Sequence, residues 1–325
     1  MDGGPNLQVA PAGFAHEALM YAGLADFLAQ TVPFLAEGVD AGEPALVALP
    51  QVRVDALRQA LGSRAADVQF APMERIGRNP SRIISEWHAF VDRRPADGRP
   101  IRGIGEPIWA TRSPAELAEC HMHESLLNEA FADAPAFTLL CPYDTDDLDA
   151  ATLHNAQCTH PLVRRDAEST PSPSYAPDAI REHHLGDPLP PTPARARLVT
   201  VHRQGPRPPL RTLRRLVAEH ALSSGTAPGR VNDLVLAVHE VIVNAIAHDE
   251  SASLALWRED DAVVCEVRNA TAFDDPMAGR RYPGHAPRSG RGLWLVNQIC
   301  DLVQVRSGEH GTTVRVRVGA GRSPA

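Results

Sequence analysis

In the segment Glu240-Val-Ile-Val-Asn244-Ala-Ile-Ala-His248, a carboxylate, a carboxamide and an imidazole recur every four residues. A helix turns ~100° per residue, so the three project from one face, stepping along it by ~6 Å each time. Further on, Gly290-Arg-Gly292-Leu293 makes a small glycine turn running into the apolar run Leu293-Trp-Leu-Val. That run reads as a helix start, and exposed backbone N–H groups at such a start suit a polyphosphate. An amide oxygen suited to Mg²⁺ beside a turn suited to phosphate predicts nucleotide chemistry.

The elements that must hold these groups are legible on either side. Leu234, Leu236, Val238, Val241, Ile242 and Ala245 make 228–248 an apolar-faced helix, preceded by another over about 210–222. Two strands follow, 253–258 and 262–268, joined by an acidic turn. After an irregular stretch come a helix over 292–300 and strands at 302–306 and 312–318, with 197–202 offering a first strand. Helices on one face of a mixed sheet predict an α+β two-layer sandwich over residues 197–325.

Residues 1–163 alternate helix and strand signals instead. An amphipathic helix is expected over 18–37 and another over about 80–92, with strands at 44–50, 68–71, 100–105 and 136–141. Ser113-Pro-Ala-Glu116 combines an N-cap, a first-turn proline and a capping-box glutamate, which starts a further helix. This alternation predicts an α/β domain with a parallel sheet between two layers of helix, a three-layer αβα arrangement. Residues 164–196, rich in proline and serine, predict an extended linker without helix or sheet.

Composition narrows the function classes. The 325 residues suit two domains, and 43% hydrophobic with 22% charged residues is ordinary for a soluble globular protein. All 32 basic residues are arginine, so a Walker A lysine is absent and P-loop chemistry is excluded. A net charge of −8 disfavours a general nucleic-acid binder. Five cysteines without a CxxC pair and the lack of a signal peptide predict reduced thiols in a cytoplasmic protein. The longest apolar stretch, 234–247, is interrupted by His239, Glu240 and Asn244 and too short to span a bilayer, so no membrane partner is expected.

The Glu240–His248 and Gly290–Leu293 segments resemble the N and G2 boxes of the histidine-kinase-like ATPase superfamily, most closely its anti-sigma-factor serine kinase branch. The likeness spans about 207–318. It implies a Bergerat-type ATPase fold, ATP and Mg²⁺ as cofactors, Glu240 as general base and Asn244 as metal ligand. It also implies a sigma factor and a STAS-type anti-anti-sigma protein as partners, with Ser or Thr phosphorylation of the latter, and a homodimer. His248, Gly290, Gly292 and Leu293 fall at nucleotide-contacting positions of the pattern, and a hydroxyl at Thr312 or Thr313 would meet the adenine. Residues 277–289 occupy the place of a mobile lid, putting Arg280, Arg281, Arg288 and Arg291 within reach of phosphates. One departure is plain: where the family has Asp-x-Gly to bind the adenine amino group, this chain has Asn269-Ala270-Thr271. Asn269 keeps a carbonyl oxygen but not the charge-assisted bond, which is roughly twice as strong.

In the N-terminal half, His16, Tyr21, Glu106, His123, Glu124, Asn128, Tyr143 and His160 lie in segments that resemble the MEDS sensory domain over about 13–162. The resemblance implies a RecA-like fold without a nucleotide loop, sensing a ligand it does not identify. Glu106 follows a strand, where polar residues line the usual crevice of α/β sheets, and Glu124 and Asn128 sit one turn apart on a helix. Glu106, His123, Glu124, Asn128 and Tyr143 are the sensory-ligand candidates; loop bracing is the competing role for each. Cys120, His121, His123, Cys141, Cys158 and His160 match no zinc spacing and read as buried structural residues. Three functions are thus distinguished: a sensor-gated anti-sigma serine kinase, a non-catalytic sigma-sequestering module with weakened nucleotide binding, and an autophosphorylating histidine kinase. The last needs a phosphoacceptor histidine on a dimerisation helix, and His183-His184 lies in proline-rich sequence.

Overall fold

Buried parallel strands need no alternation of polar and apolar residues, because helices cover both their faces. Phe14–Tyr21 is such a strand, and it follows that the first helix begins later than its apolar pattern predicts. A computed structural model of the chain describes residues 13–95, 97–166, 168–203, 210–283 and 291–320, the His248 side chain excepted. In chain order the first elements are β1 (Phe14–Tyr21), α1 (Gly23–Asp40), β2 (Ala45–Leu49), α2 (Gln51–Leu61), β3 (Val68–Pro72) and α3 (Met73–Ile76). Then come α4 (Ile83–Asp92), β4 (Ile101–Gly105), α5 (Pro114–Ala130), β5 (Phe137–Asp144) and α6 (Ala150–Thr159). The helix expected over 18–37 is therefore corrected: Ala18–Tyr21 closes a strand, and the chain turns into α1 at Gly23.

Two compact units form. One takes in the chain to Ile76 with Glu86–Ser113 and Glu124–Ile180; the other takes in Gly77–Ser85, Pro114–His123 and everything from Arg181. The sheet of the first unit runs β3-β2-β4-β5-β1 and continues into β6 (Leu162–Arg165) and β7 (Glu168–Pro171). All neighbours are parallel except β6 and β7. On one face Leu19, Ile104 and Leu140 pack with Phe27 and Leu35 of α1 and Leu57 of α2. Each such fully buried side chain contributes about 1.5–3 kcal/mol. On the other face Trp87 of α4 lies flat against β4: a Cβ on Gly105 would meet Trp87 Cζ2 at 2.9 Å, and one on Gly103 would meet Leu139, Phe137 and Trp87 within 3.0 Å. Helices thus cover both faces, as the alternation predicted.

The extended-linker expectation for 164–196 needs correction. Val163–Arg165 pairs with Glu168–Thr170 as a hairpin, and α7 (Pro177–Gly186) is a ten-residue helix carrying His183 and His184. Pro177 stands at the first helical position, where its missing N–H costs nothing, so the prolines bound this helix instead of preventing it.

In the second unit, β8 (Arg197–His202), α8 (Leu210–Ser223), α9 (Pro228–His248), β9 (Ser251–Glu259), β10 (Ala262–Asn269), α10 (Arg291–Ile299), β11 (Leu302–Gly308) and β12 (Gly311–Gly319) follow in order. The sheet order is β11-β12-β10-β9-β8 and every pairing is antiparallel, which corrects the expected mixed sheet. Short turns between β9 and β10 and between β11 and β12 fold each pair back on itself, which parallel strands cannot do. Leu213 and Val217 of α8, Leu234, Val238, Val241 and Ile242 of α9 and Val296 of α10 pack on Leu254, Val263 and Val316 of the sheet. The opposite face keeps a smaller cluster of Ala255, Trp257 and Val264. There Arg315 crosses the Trp257 ring, and Glu266 binds Arg315 at 2.5 Å and the Thr192 hydroxyl at 2.7 Å. Linker residues near 190–192 are thereby fastened to the sheet.

Candidate functional site

Helix α9 owes its course to a stripe of buried apolar residues every three or four positions, which leaves Glu240 and Asn244 on its other side. Asn244 is exposed and Glu240 half-buried. The start of α10 comes so close to them that a Cβ on Gly292 would lie 2.8 Å from Glu240 Oε2 and 3.3 Å from Asn244 Nδ2. A residue without a side chain lets the backbone of this helix start approach the acid and the amide without displacing either. Sequence spacing alone separated these parts by almost fifty residues; the fold brings them together.

Beside this contact opens a cavity of about 620 Å³. Asn244, Asn269, Arg281, Leu293 and Thr312 line it, with Val267 and Val314 among its apolar walls. Thr312 donates from Oγ1 to the Thr271 carbonyl at 2.8 Å and lies 3.2 Å from Ser307 Oγ. Thr313, on the alternate face of β12, does not line the cavity. Gly290 and Arg288 lie outside the described residues, as does the side chain of His248.

Asn269 closes β10 opposite Thr312. The turn that follows is shaped by two features the sequence reading passed over. Asp249, directly after α9, accepts a hydrogen bond from Ala270 N at 2.6 Å, and that backbone amide with its neighbours holds the Asp249 carboxyl below its usual range. Gly311, at φ +93°, packs against the same segment: a Cβ there would lie 2.1 Å from the Asn269 carbonyl oxygen. No L side chain tolerates either that conformation or that distance. Phe273 and Tyr282 also line the cavity, and both are large exposed apolar groups, with Tyr282 set edge-on to Trp294 at 5.4 Å. A proline- and arginine-rich stretch gives no period from which to place them.

Of the four arginines expected near phosphates, Arg281 lines the cavity. Arg280 is corrected: it is buried, with its guanidinium 3.5 Å from Glu119 Oε2, inside the same compact unit. Arg306 binds Glu119 Oε1 at 2.8 Å. A single buried carboxylate holding two arginines is a structural anchor and leaves Arg280 no reach into the cavity.

The first unit holds two buried polar groups at its sheet. Tyr21, Glu106 and Asp144 stand at the carboxyl ends of three adjacent strands, and Arg53 of α2 joins them. Tyr21 donates to Glu106 Oε1 at 3.1 Å, Arg53 binds the same oxygen, and Arg53 also binds Asp144 Oδ2 at 3.0 Å. Burial is the largest influence on Glu106 and pushes its carboxyl up to about 8, against the pull of Arg53 and Tyr21. Glu106 is thus placed at the strand ends as predicted, but within an internal network.

The second group gathers His16 of β1, Glu124 of α5, Cys141 of β5 and His160, which follows α6. Among the sensory candidates Glu124 belongs to it, and Tyr143 sets its ring edge-on to His160 at 5.6 Å. Asn128 instead donates to the Thr159 carbonyl at 3.1 Å, bracing the end of α6. His123 is buried on α5 outside the cluster. Among the described residues no helix is long and apolar enough to cross a membrane.

Residues 15–161 match the MEDS family model (MEthanogen/methylotroph, DcmR Sensory domain), and residues 206–318 match the histidine kinase-like ATPase domain. No curated protein matches the chain. The apposition of Gly292 to Glu240 and Asn244 beside a lined cavity agrees with the second match, and the parallel sheet covered on both faces is the body of the first. The chain carries a MEDS domain in its N-terminal half and, in its C-terminal half, a histidine kinase-like ATPase domain, a type of domain that implies nucleotide binding.

Proposed function

We propose that the chain is a signal-responsive anti-sigma regulatory factor, an ATP- and Mg²⁺-dependent serine/threonine kinase acting on a STAS-type anti-anti-sigma protein and so controlling sigma-factor availability. The observation that carries the reading is the contact of Gly292 with Glu240 and Asn244 at the edge of a 620 Å³ cavity. The residues present fit a magnesium nucleotide. A cavity of this size suits a ligand of several hundred daltons, and its lining combines apolar walls such as Val267, Leu293 and Val314 with the polar groups of Asn244, Asn269, Arg281 and Thr312. Bound Mg·ATP would supply the transferable phosphoryl group.

Each residue's part follows from its chemistry. Asn244 offers a neutral oxygen, which holds a divalent ion without displacing phosphate and water from its other positions. Backbone N–H groups at the start of α10 and the positive end of its dipole favour phosphate. Glu240 would orient or deprotonate an acceptor hydroxyl. Arg281 adds positive charge at the cavity wall. The MEDS domain supplies the signal, the working form is a cytoplasmic homodimer, and light scattering tests the dimer. Radiolabelled ATP offered with a cognate anti-anti-sigma protein is expected to label a Ser or Thr; labelling undiminished in Glu240→Ala defeats the assignment.

Asn269 in place of the family's aspartate favours a second reading, a module that sequesters a sigma factor without phosphoryl transfer. Titration calorimetry separates the two. No heat with Mg·ATP from the natural chain, and restored binding in Asn269→Asp, would favour sequestration.

A further inference from the structure

We propose that His16, Glu124, Cys141 and His160 form a four-ligand site for a divalent transition-metal ion of the zinc type in the interior of the N-terminal unit. Their donor atoms all lie within 4.8 Å of one another, and the four residues are between 0% and 1% exposed. His16 Nε2 is 3.2 Å from Glu124 Oε2 and 3.3 Å from Cys141 Sγ, and His160 Nε2 is 3.4 Å from Glu124 Oε2. Tetrahedral zinc, with bonds of about 2.0 Å to N or O and 2.3 Å to S, sets neighbouring ligand atoms roughly 3.3–3.5 Å apart. Three of the separations already match such a shell, and all four donors lie within 4.8 Å of one another.

The fold explains the convergence. His16 and Cys141 stand on the adjacent parallel strands β1 and β5, where His16 is paired with Leu139, two residues before Cys141. Residues two apart on a strand share a face, so both side chains emerge on the side away from α1 and α2. Glu124 comes from α5 and His160 from the turn after α6.

The orientation of His160 is that of a metal ligand. Its Nδ1 lies 2.7 Å from the Ala156 carbonyl, an acceptor only, so Nδ1 carries the proton and donates. In the neutral ring Nε2 then holds a lone pair, and it faces a carboxylate oxygen. A ring nitrogen tied to a backbone carbonyl while the other meets the ion is the usual support of a metal-bound histidine. The His16 and His160 rings are 3.8 Å apart at their centroids, so the two imidazoles converge on the one carboxylate of Glu124. A divalent cation satisfies the four donors together. Two imidazoles, one carboxylate and one thiolate match zinc better than magnesium or calcium, which prefer oxygen. On binding, the Cys141 thiol gives its proton to solvent and the sulfur becomes the ligand.

This site is separate from the nucleotide cavity and does not depend on the reading of that cavity. The full-length protein is purified without chelator, its metal content measured by plasma mass spectrometry, and the metal-stripped chain titrated with Zn²⁺ and then Co²⁺. About one equivalent per chain is expected, with a sulfur-to-cobalt charge-transfer band in the near ultraviolet. Cys141→Ser should abolish that band, His160→Gln should weaken binding at least tenfold, and Cys158→Ser, which alters a buried thiol outside the cluster, should change neither. The wild-type titration does not depend on the variants folding. Absence of stoichiometric Zn²⁺ and Co²⁺ uptake by the wild-type chain overturns the proposal and leaves a proton-linked network; so does a cobalt spectrum unchanged in a folded Cys141→Ser.

Discussion

Replacing Gly292 by alanine separates function from stability in the C-terminal domain. The new Cβ would lie 2.8 Å from Glu240 Oε2, and ordinary contact begins near 3.4 Å, so the carboxylate must retreat by about 0.6 Å (3.4 − 2.8) or change rotamer. Asn244, at 3.3 Å, must yield only slightly. Glu240 ends in a flexible chain, so its retreat costs the fold little, and removing a helical glycine returns roughly 0.5–1 kcal/mol. Stability should therefore move by no more than about 1 kcal/mol in either direction. The catalytic consequence is larger, because displacements on the order of 1 Å at a reacting centre cost about 10²-fold. Phosphotransfer from radiolabelled ATP should fall by about that factor, with Glu240→Gln as the reference loss, while the thermal midpoint shifts by only a few degrees. Calorimetry with Mg·ATP shows whether binding falls in parallel. A folded Gly292→Ala chain with wild-type transfer and affinity would refute the placement of Glu240 and Asn244 against the phosphates.

Three further outcomes are expected. Glu106 has a folded-state carboxyl raised from 4.5 to about 8, so the native state holds its proton where the unfolded chain has released it. Its contribution to stability is present in full below about 4.5 and is lost as pH rises towards 8; the difference in unfolding midpoint between wild type and Glu106→Gln should slope across that window, and a flat difference would show the shift to be absent. Gly103→Ala, whose Cβ would meet Leu139, Phe137 and Trp87 within 3.0 Å, should cost about 1–3 kcal/mol by overpacking; denaturant unfolding reads it, and an unchanged midpoint would contradict the close packing of α4 on β4. Glu266→Ala strands the buried end of Arg315 and unfastens Thr192, so a loss of about 3 kcal/mol and faster proteolysis near residue 190 are expected; wild-type proteolysis would show that 190–192 is held by other contacts.

What the sequence disclosed and what it hid divide along one physical line. The Glu240–Asn244 face was legible because one helix sets its spacing, and helical periodicity is local. The start of α10 was legible from its apolar run, although the close approach of Gly292 to the face of α9 was not, since packing of α10 on α9 is a tertiary fact. Strand β1 was hidden because it is buried on both faces and shows no alternation. The antiparallel course of the second sheet was hidden because strand direction is set by connections, and a pattern of apolar residues is the same read either way. Arg280 shows the limit of composition: a loop rich in arginine beside the candidate nucleotide cavity does not say which arginine turns inward to Glu119.

The His16, Glu124, Cys141 and His160 cluster carries that argument furthest. Zinc motifs are recognisable when two ligands share a turn or hairpin, because the spacing then encodes the geometry. Here the four proposed ligands come from four separate segments, and the register of β1 on β5 supplies the convergence that a short spacing would otherwise encode. A parallel sheet is well suited to this, since its crossover connections put strands far apart in sequence side by side. An absent spacing motif therefore weighs little against a metal site in an α/β domain.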